Sequence, residues 1–141
     1  MNRAFPQLIF AVVLGLALPG FAQGPVATAK TENGVSYTTG GITEDESRAM
    51  RQDAKNWPLT LIFSEGRERE YLADVSVNIK DGKGKDVLDV LTDGPILSAR
   101  LPEGRYIVSA DWEGKTLRRT VILKRGAARQ VTFNWPTPRR D

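Results

Sequence analysis

LPEGRYIVSADWEGKTLRRTVIL, residues 101–123, is the stretch whose reading decides the fold. Pro102, Glu103 and Gly104 make a turn. Tyr106, Val108, Ala110 and Trp112 then alternate with Arg105, Ile107, Ser109 and Asp111. A period of two belongs to a strand with one face in a core and the other in water. Glu113-Gly114 turns the chain back, and Leu117, Val121 and Leu123 carry the inward set into a second strand.

The same period runs outward from this hairpin in both directions. Upstream, Leu59, Leu61 and Phe63 alternate with Thr60 and Ile62, and Tyr71, Ala73, Val75, Val77 and Ile79 alternate with Leu72, Asp74, Ser76 and Asn78. Val87 to Leu91 and Leu97, Ala99 and Leu101 follow, set off by the turns Asp81-Gly-Lys-Gly84 and Asp93-Gly-Pro95. Downstream, Arg125-Gly126 leads to Val131, Phe133 and Trp135. Seven short strands bounded by Gly, Pro or Asp predict an all-β, antiparallel, seven-stranded sandwich of the immunoglobulin or transthyretin-like (prealbumin-like) kind over residues 57–136. Ahead of it the period is 3.6. Thr43 is an N-cap with Glu46 three residues on, Glu44 to Glu46 fill a first turn that favours negative charge, and Pro58 stops the helix. Met50, Ala54 and Trp57 form a narrow apolar stripe, so one short helix over 42–56 leans on the sandwich. Residues 23–41 read as a flexible arm with a short strand at Val35-Ser36-Tyr37, and 137–141 as a frayed tail.

Leu101 before a tight turn and Tyr106 just after it suggest a tyrosine corner, with the phenol inside and its hydroxyl bonded to an upstream backbone group. An ordinary core tyrosine is the alternative. The run L-P-x-G-x-Y-x-V over Leu101–Val108, the turn glycine Gly114, the V-x-L strand Val121–Leu123, Gly126 and the final V-x-F of Val131–Phe133 resemble the carboxypeptidase regulatory-like (transthyretin-like) domain. Gly34-Val-Ser-Tyr37 and Gly40-Gly-Ile42 before an acidic helix are similar to a small exported proteobacterial subfamily that carries it. The resemblance implies a prealbumin-like sandwich over roughly Tyr37 to Trp135. It implies no peptidase or purine-breakdown activity, because those chemistries use histidines and this chain has none.

The first 22 residues have the layout of a secretory signal peptide. Arg3 is its positive end, Leu8 to Leu18 its apolar run, and Gly20-Phe-Ala22 its small-residue exit, with cleavage between Ala22 and Gln23. The run falls short of the roughly 20 apolar residues that cross a bilayer, and no cysteine follows the cleavage site to carry a lipid. The expected address is periplasmic or secreted, without a transmembrane segment.

Composition removes much chemistry. With no Cys and no His, the chain lacks a disulfide framework, the usual transition-metal ligands and the usual general base. Gly114-Lys-Thr116 mimics a phosphate loop, but the glycine required five residues earlier is Ser109, inside a strand. Asp81 to Asp86 mimics a calcium loop, but Lys83 and Lys85 stand where oxygen ligands belong. Ser64, Ser76, Ser98 and Ser109 have no histidine, and no signature supports a Ser–Lys dyad. No catalytic residue, cofactor site or metal site is assigned. Aromatic and basic residues do not interleave on an exposed register, which argues against nucleic acid.

Charge is unevenly spread. Residues 23–95 carry nine Lys and Arg against thirteen Asp and Glu; residues 96–141 carry ten against four. Two solvated faces of opposite sign are one reading and a binding surface the other. If the last three strands are sequential neighbours, one outer face gathers Arg105, Ile107, Arg118 and Ile122, with Lys124, Arg125 and Arg129 at its end. Arginines around exposed isoleucines suit a protein contact, and the basic end suits anionic envelope phosphates; bare strand propensity would also explain the isoleucines. The expectation is an exported non-catalytic module that binds a protein or an anionic envelope component. A self-associating accessory that forms a weak homodimer through an open edge, and a histidine-free hydrolase, are the alternatives. The strand Asp86 to Thr92 is the candidate edge. Protein recovered from a periplasmic fraction should have the intact mass of a chain starting at Gln23; a full-length cytoplasmic species would contradict the signal reading.

Overall fold

The computed structural model describes residues 29–137. The expected signal peptide with its Ala22–Gln23 cleavage point, the beginning of the arm and residues 138–141 lie outside the described residues. Within them the chain is mostly strand, with one short helix. The strands are β1 (Lys30–Glu32), β2 (Val35–Gly40), β3 (Leu59–Glu65), β4 (Glu70–Tyr71), β5 (Ser76–Lys80), β6 (Asp86–Leu91), β7 (Ile96–Arg100), β8 (Gly104–Trp112), β9 (Lys115–Leu123) and β10 (Arg129–Trp135). One sheet has the order β1-β2-β7-β3-β10, with β4 extending the β7 side of β3; the other has the order β6-β5-β8-β9.

Three expectations are corrected here. The arm is not free over its second half. Asn33-Gly34, both at positive φ, close a β1–β2 hairpin whose second strand pairs with β7 from Ser36↔Arg100 to Gly40↔Ile96. Nor is Tyr71 to Ile79 one strand, and its early phase is reversed: Tyr71 is exposed while Leu72 is buried. Asp74 adopts the left-handed conformation (φ 57°), which a short polar side chain tolerates. Around it Val75 N–H donates to Thr92 Oγ1 at 3.0 Å, and Thr92 N–H donates to Val75 O at 2.9 Å. Residues 72–75 thus carry the chain from one sheet to the other. Finally, the pairing is not wholly antiparallel. β10 lies parallel to β3, from Arg129↔Leu59 to Trp135↔Glu65. A parallel neighbour needs a long crossover, and here nearly the whole domain supplies it.

The core lies between the sheets. Leu59, Leu61, Phe63, Val75, Val77, Ile79, Leu97, Val108, Phe133 and Trp135 are fully or almost fully buried. Phe133 stacks on Phe63 with centroids 5.9 Å apart, and Trp135 donates its indole N–H to Lys115 O at 2.9 Å, tying the two sheets. Thr60 and Ile62, expected to face outward, are buried as well. The reason is the helix α1 (Glu44–Asp53), which lies over that face and packs Met50 on Ile62 and Ile96. Thr43 caps it, its hydroxyl accepting from Glu46 N–H at 3.1 Å, while the Glu46 carboxylate accepts from Gly41 N–H rather than from Thr43. The capping box is therefore displaced by two residues, and it holds the β2–α1 connection in place. Among the described residues no helix is long and apolar enough to cross a membrane.

Tyr106 settles its own alternatives. Its ring is buried and its hydroxyl donates to Pro102 O at 2.7 Å. Burial, and secondarily the charge of Asp81, raise its pKa, which keeps the phenol a neutral donor. Replacing Tyr106 with Phe should cost about 1 kcal/mol of unfolding free energy, the usual worth of such a bond. Chemical denaturation measures it, and a loss within error would reduce the corner to packing alone.

Candidate functional site

The strand registers divide the sandwich into two ends. β3, β8 and β10 start at the same end, called lower here, which also holds the turns 33–34, 55–58, 81–85, 101–103 and 124–128. In these turns Lys55, Lys83, Lys85, Lys124 and Arg125 outnumber Asp81 and Glu103. The upper-end turns carry Glu68, Asp74, Asp93 and Glu113 against Arg67 and Arg69. Basic turns thus gather at the lower end and acidic turns at the upper, a separation distinct from the one along the sequence, since Lys55, Lys83 and Lys85 belong to its acidic part.

At the lower end the short 3-10 turn Ala54–Asn56 delivers Trp57. Trp57 N–H donates to Asp53 Oδ2 at 2.9 Å, and Asn56 Nδ2 donates to Asp53 Oδ1 at 2.7 Å. The bond from Asn56 first, then that from Trp57, holds the Asp53 carboxyl below the ordinary aspartate pKa. Arg100, the last residue of β7, lays its guanidinium 4.8 Å from the Trp57 ring centroid, a cation–π contact. Its Nη2 also donates to Asn56 O at 3.4 Å. Between this pair and the turns 101–103 and 124–128 opens a cleft of about 490 Å³. Pro58, Leu101, Pro102 and Leu123 give it apolar walls; Lys55, Arg100, Lys124 and Arg125 give it charge, opposed by Glu103 in the lining and by the Asp53 carboxylate, which interacts with Arg100 and Lys55.

The outer face of β8 and β9 is assembled partly as the sequence suggests. Arg105 pairs with Ile122, Ile107 with Thr120 and Ser109 with Arg118, whose Nε donates to Ser109 Oγ at 3.1 Å. Ile122 is 60% exposed and Ile107 half-buried. Lys124 and Arg125 follow directly in the turn below β9 and belong to the cleft. Arg129 is the exception. Because β10 joins β3 and not β9, Arg129 stands in the other sheet, beside Arg51 and Lys55 in a smaller depression of about 280 Å³. Gln130, Thr132 and Asn134, on the same strand, stand in that other sheet as well. Across β5 the face turns acidic, with Asp89 opposite Asn78 and Asp86 paired to Lys80.

β6 is an edge, as its aspartates suggest, and β9 is the other edge of that sheet. Both are guarded. Asp86 and Asp89 are exposed on β6, and Glu32 of the opposite sheet accepts from Asp89 N–H at 3.4 Å. On β9, Arg119 occupies an inward position and reaches over Phe133, 5.9 Å from its centroid. An inward-pointing charge on an edge strand hinders pairing with another strand.

Trp57, Arg100 and Lys55 were missed as site residues. Trp57 read as the end of a helix stripe, and Arg100 as a polar strand residue; their meeting joins positions 43 residues apart. Several of the residues rejected for chemistry have structural partners. Asp81 Oδ1 accepts from the N–H of Lys83 and of Lys85 at 2.9 and 3.0 Å, closing its turn. The hydroxyls of Ser64, Ser98 and Ser109 bond Asn134, Thr60 and Arg118. Neither a protein-family model nor a curated protein matches the chain.

A carboxyl whose folded pKa is depressed stabilises the fold above its unfolded value, and that contribution disappears as pH falls through the folded value. Asp53→Ala should therefore make the acid limb of melting temperature against pH shallower below about pH 4. An unchanged limb would show that Asp53 does not hold Trp57 in solution.

Proposed function

We propose that this is an exported, non-catalytic binding module of the carboxypeptidase regulatory-like (transthyretin-like) kind, which engages a protein partner at the cell envelope through the outer face of β8 and β9. The observation that carries the reading is the pairing of Ile122, exposed, with Arg105, and the presence of Ile107 and Arg118 on the same two strands. Apolar side chains ringed by arginines match the make-up of protein interfaces, where arginine is enriched. The two-sheet architecture and the Tyr106–Pro102 bond accord with the family resemblance. The hydroxyls of Ser64, Ser98 and Ser109 are engaged by Asn, Thr and Arg side chains, which supports a module without a nucleophile. The guarded edges β6 and β9 favour a partner of another kind over self-pairing.

Two double variants test the reading: Ile107→Asp with Ile122→Asp, and Arg105→Glu with Arg118→Glu. All four side chains lie on the outer face, Ile107 half-buried and the other three exposed, so both variants should stay folded and melt within several degrees of the parent. Cross-linking in intact envelopes, followed by mass spectrometry, identifies the partner of the mature protein. Each variant should reduce that cross-linked species by roughly tenfold, the effect of removing about 1.4 kcal/mol of binding. Sedimentation should show a monomer. Undiminished cross-linking in both variants would rule this face out.

A further inference from the structure

The lower-end cleft has a chemistry of its own, separate from the sheet face. Lys55, Arg100, Lys124 and Arg125 converge on one concavity, yet every ion pair among the described residues lies elsewhere, at Lys30–Asp93, Arg48–Glu44, Arg48–Asp45 and Lys80–Asp86. Like charges gathered in a cleft with low-dielectric walls repel one another and focus a positive potential on whatever enters. The adjoining depression adds Arg51 and Arg129 and shares Lys55, so the field extends beyond the cleft. One of these cations is also held in place. Trp57 is tethered to Asp53, Arg100 stacks on Trp57, and Asn56 O accepts from its Nη2. A guanidinium fixed in this way loses little freedom on binding, and its fork of donors matches a phosphate better than a lysine does.

We propose that this cleft binds an organic phosphate, with the phosphate between Arg100, Lys124 and Arg125 and the organic part against Trp57, Pro58 and Leu123. The volume of about 490 Å³ falls in the range of small-ligand sites, roughly 300 to 1,000 Å³, and the mix of apolar wall and cationic rim asks for an anion with an apolar body. Soluble phosphate esters and phospholipid headgroups both have that chemistry. A bare polyanion would use the charge but not the wall.

The probe is phenyl phosphate, titrated calorimetrically into the mature protein at low salt, with inorganic phosphate as the comparison. Phenyl phosphate should bind saturably and more tightly than inorganic phosphate, and binding should weaken as salt rises. Lys124→Gln with Arg125→Gln should lower the affinity about tenfold or more, the loss expected for removing two charge-assisted contacts. Lys83→Gln with Lys85→Gln removes equal charge from the same end but outside the cleft, and should leave affinity within about twofold. Ile107→Asp with Ile122→Asp should also leave it intact, so that failure of the sheet-face reading and failure of this one are distinguishable. Flotation with phosphatidylglycerol vesicles separates the sources: flotation that phenyl phosphate competes away assigns a lipid headgroup, and soluble binding without flotation assigns a soluble ester. Absence of saturable binding to phenyl phosphate overturns the proposal, as does an equal loss in the Lys83/Lys85 variant, which would mean a diffuse charge effect. Lys124 and Arg125 lie in an exposed turn, so their variant tests the site even if changes at Arg100 disturb the stack on Trp57.

Discussion

The parallel pairing of β10 with β3 is the contact on which the rest of the structure depends. It sets Phe133 against Phe63 and brings Trp135 to the seam where its indole N–H reaches Lys115 O. Had the last strand continued from β9 in the same sheet, Phe133 would not lie in register beside Phe63. The chain instead crosses from one sheet to the other in residues 124–128. That crossing leaves β9 as an edge, removes Arg129 from the outer face and places Lys124 and Arg125 opposite Arg100.

The helix has a comparable role on the other side of the same sheet. By covering Ile62 and Ile96 with Met50 it buries a second face of β3 and β7, and its end delivers Trp57 to the lower end. The hydroxyls of Thr60 and Ser98 meet at 3.1 Å in this buried layer, where an unpaired polar group would be costly. Among the described residues the opposite sheet has no such cover, and its inner strand β8 alternates buried and half-buried from Tyr106 to Ala110. The domain is thus layered as helix, sheet, sheet, and its working surfaces are the uncovered face and the lower end.

Electrostatics follows the turns. Acidic turns collect at the upper end and basic turns at the lower. The ion pairs among the described residues are exposed, and exposed pairs add little to stability. The net-positive lower end is therefore better understood through what it attracts than through what it stabilises. Arg100 is the link between packing and recognition there: the indole that holds it belongs to the helix segment, and the strand that carries it belongs to the sheet.

By itself the sequence determined a mostly β domain with one short helix, and the faces of its central hairpin. Period-two alternation from Arg105 to Leu123 identified a hairpin and its inward set, and Thr43 with Glu46 marked the helix start, because both are local consequences of backbone geometry and side-chain reach. Local pattern could not say which strands are neighbours. Parallel β10–β3 pairing, the change of sheet at Asp74 and the recruitment of β2 all depend on contacts far apart in the chain, and Val131, Phe133 and Trp135 would read the same against any apolar layer. For the candidate surface, Arg105, Ile107, Arg118 and Ile122 were legible because one hairpin carries them all. Arg129 was misplaced, and the Trp57–Arg100 stack with its cleft was invisible, because only tertiary structure decides which turns meet at the end of a sandwich.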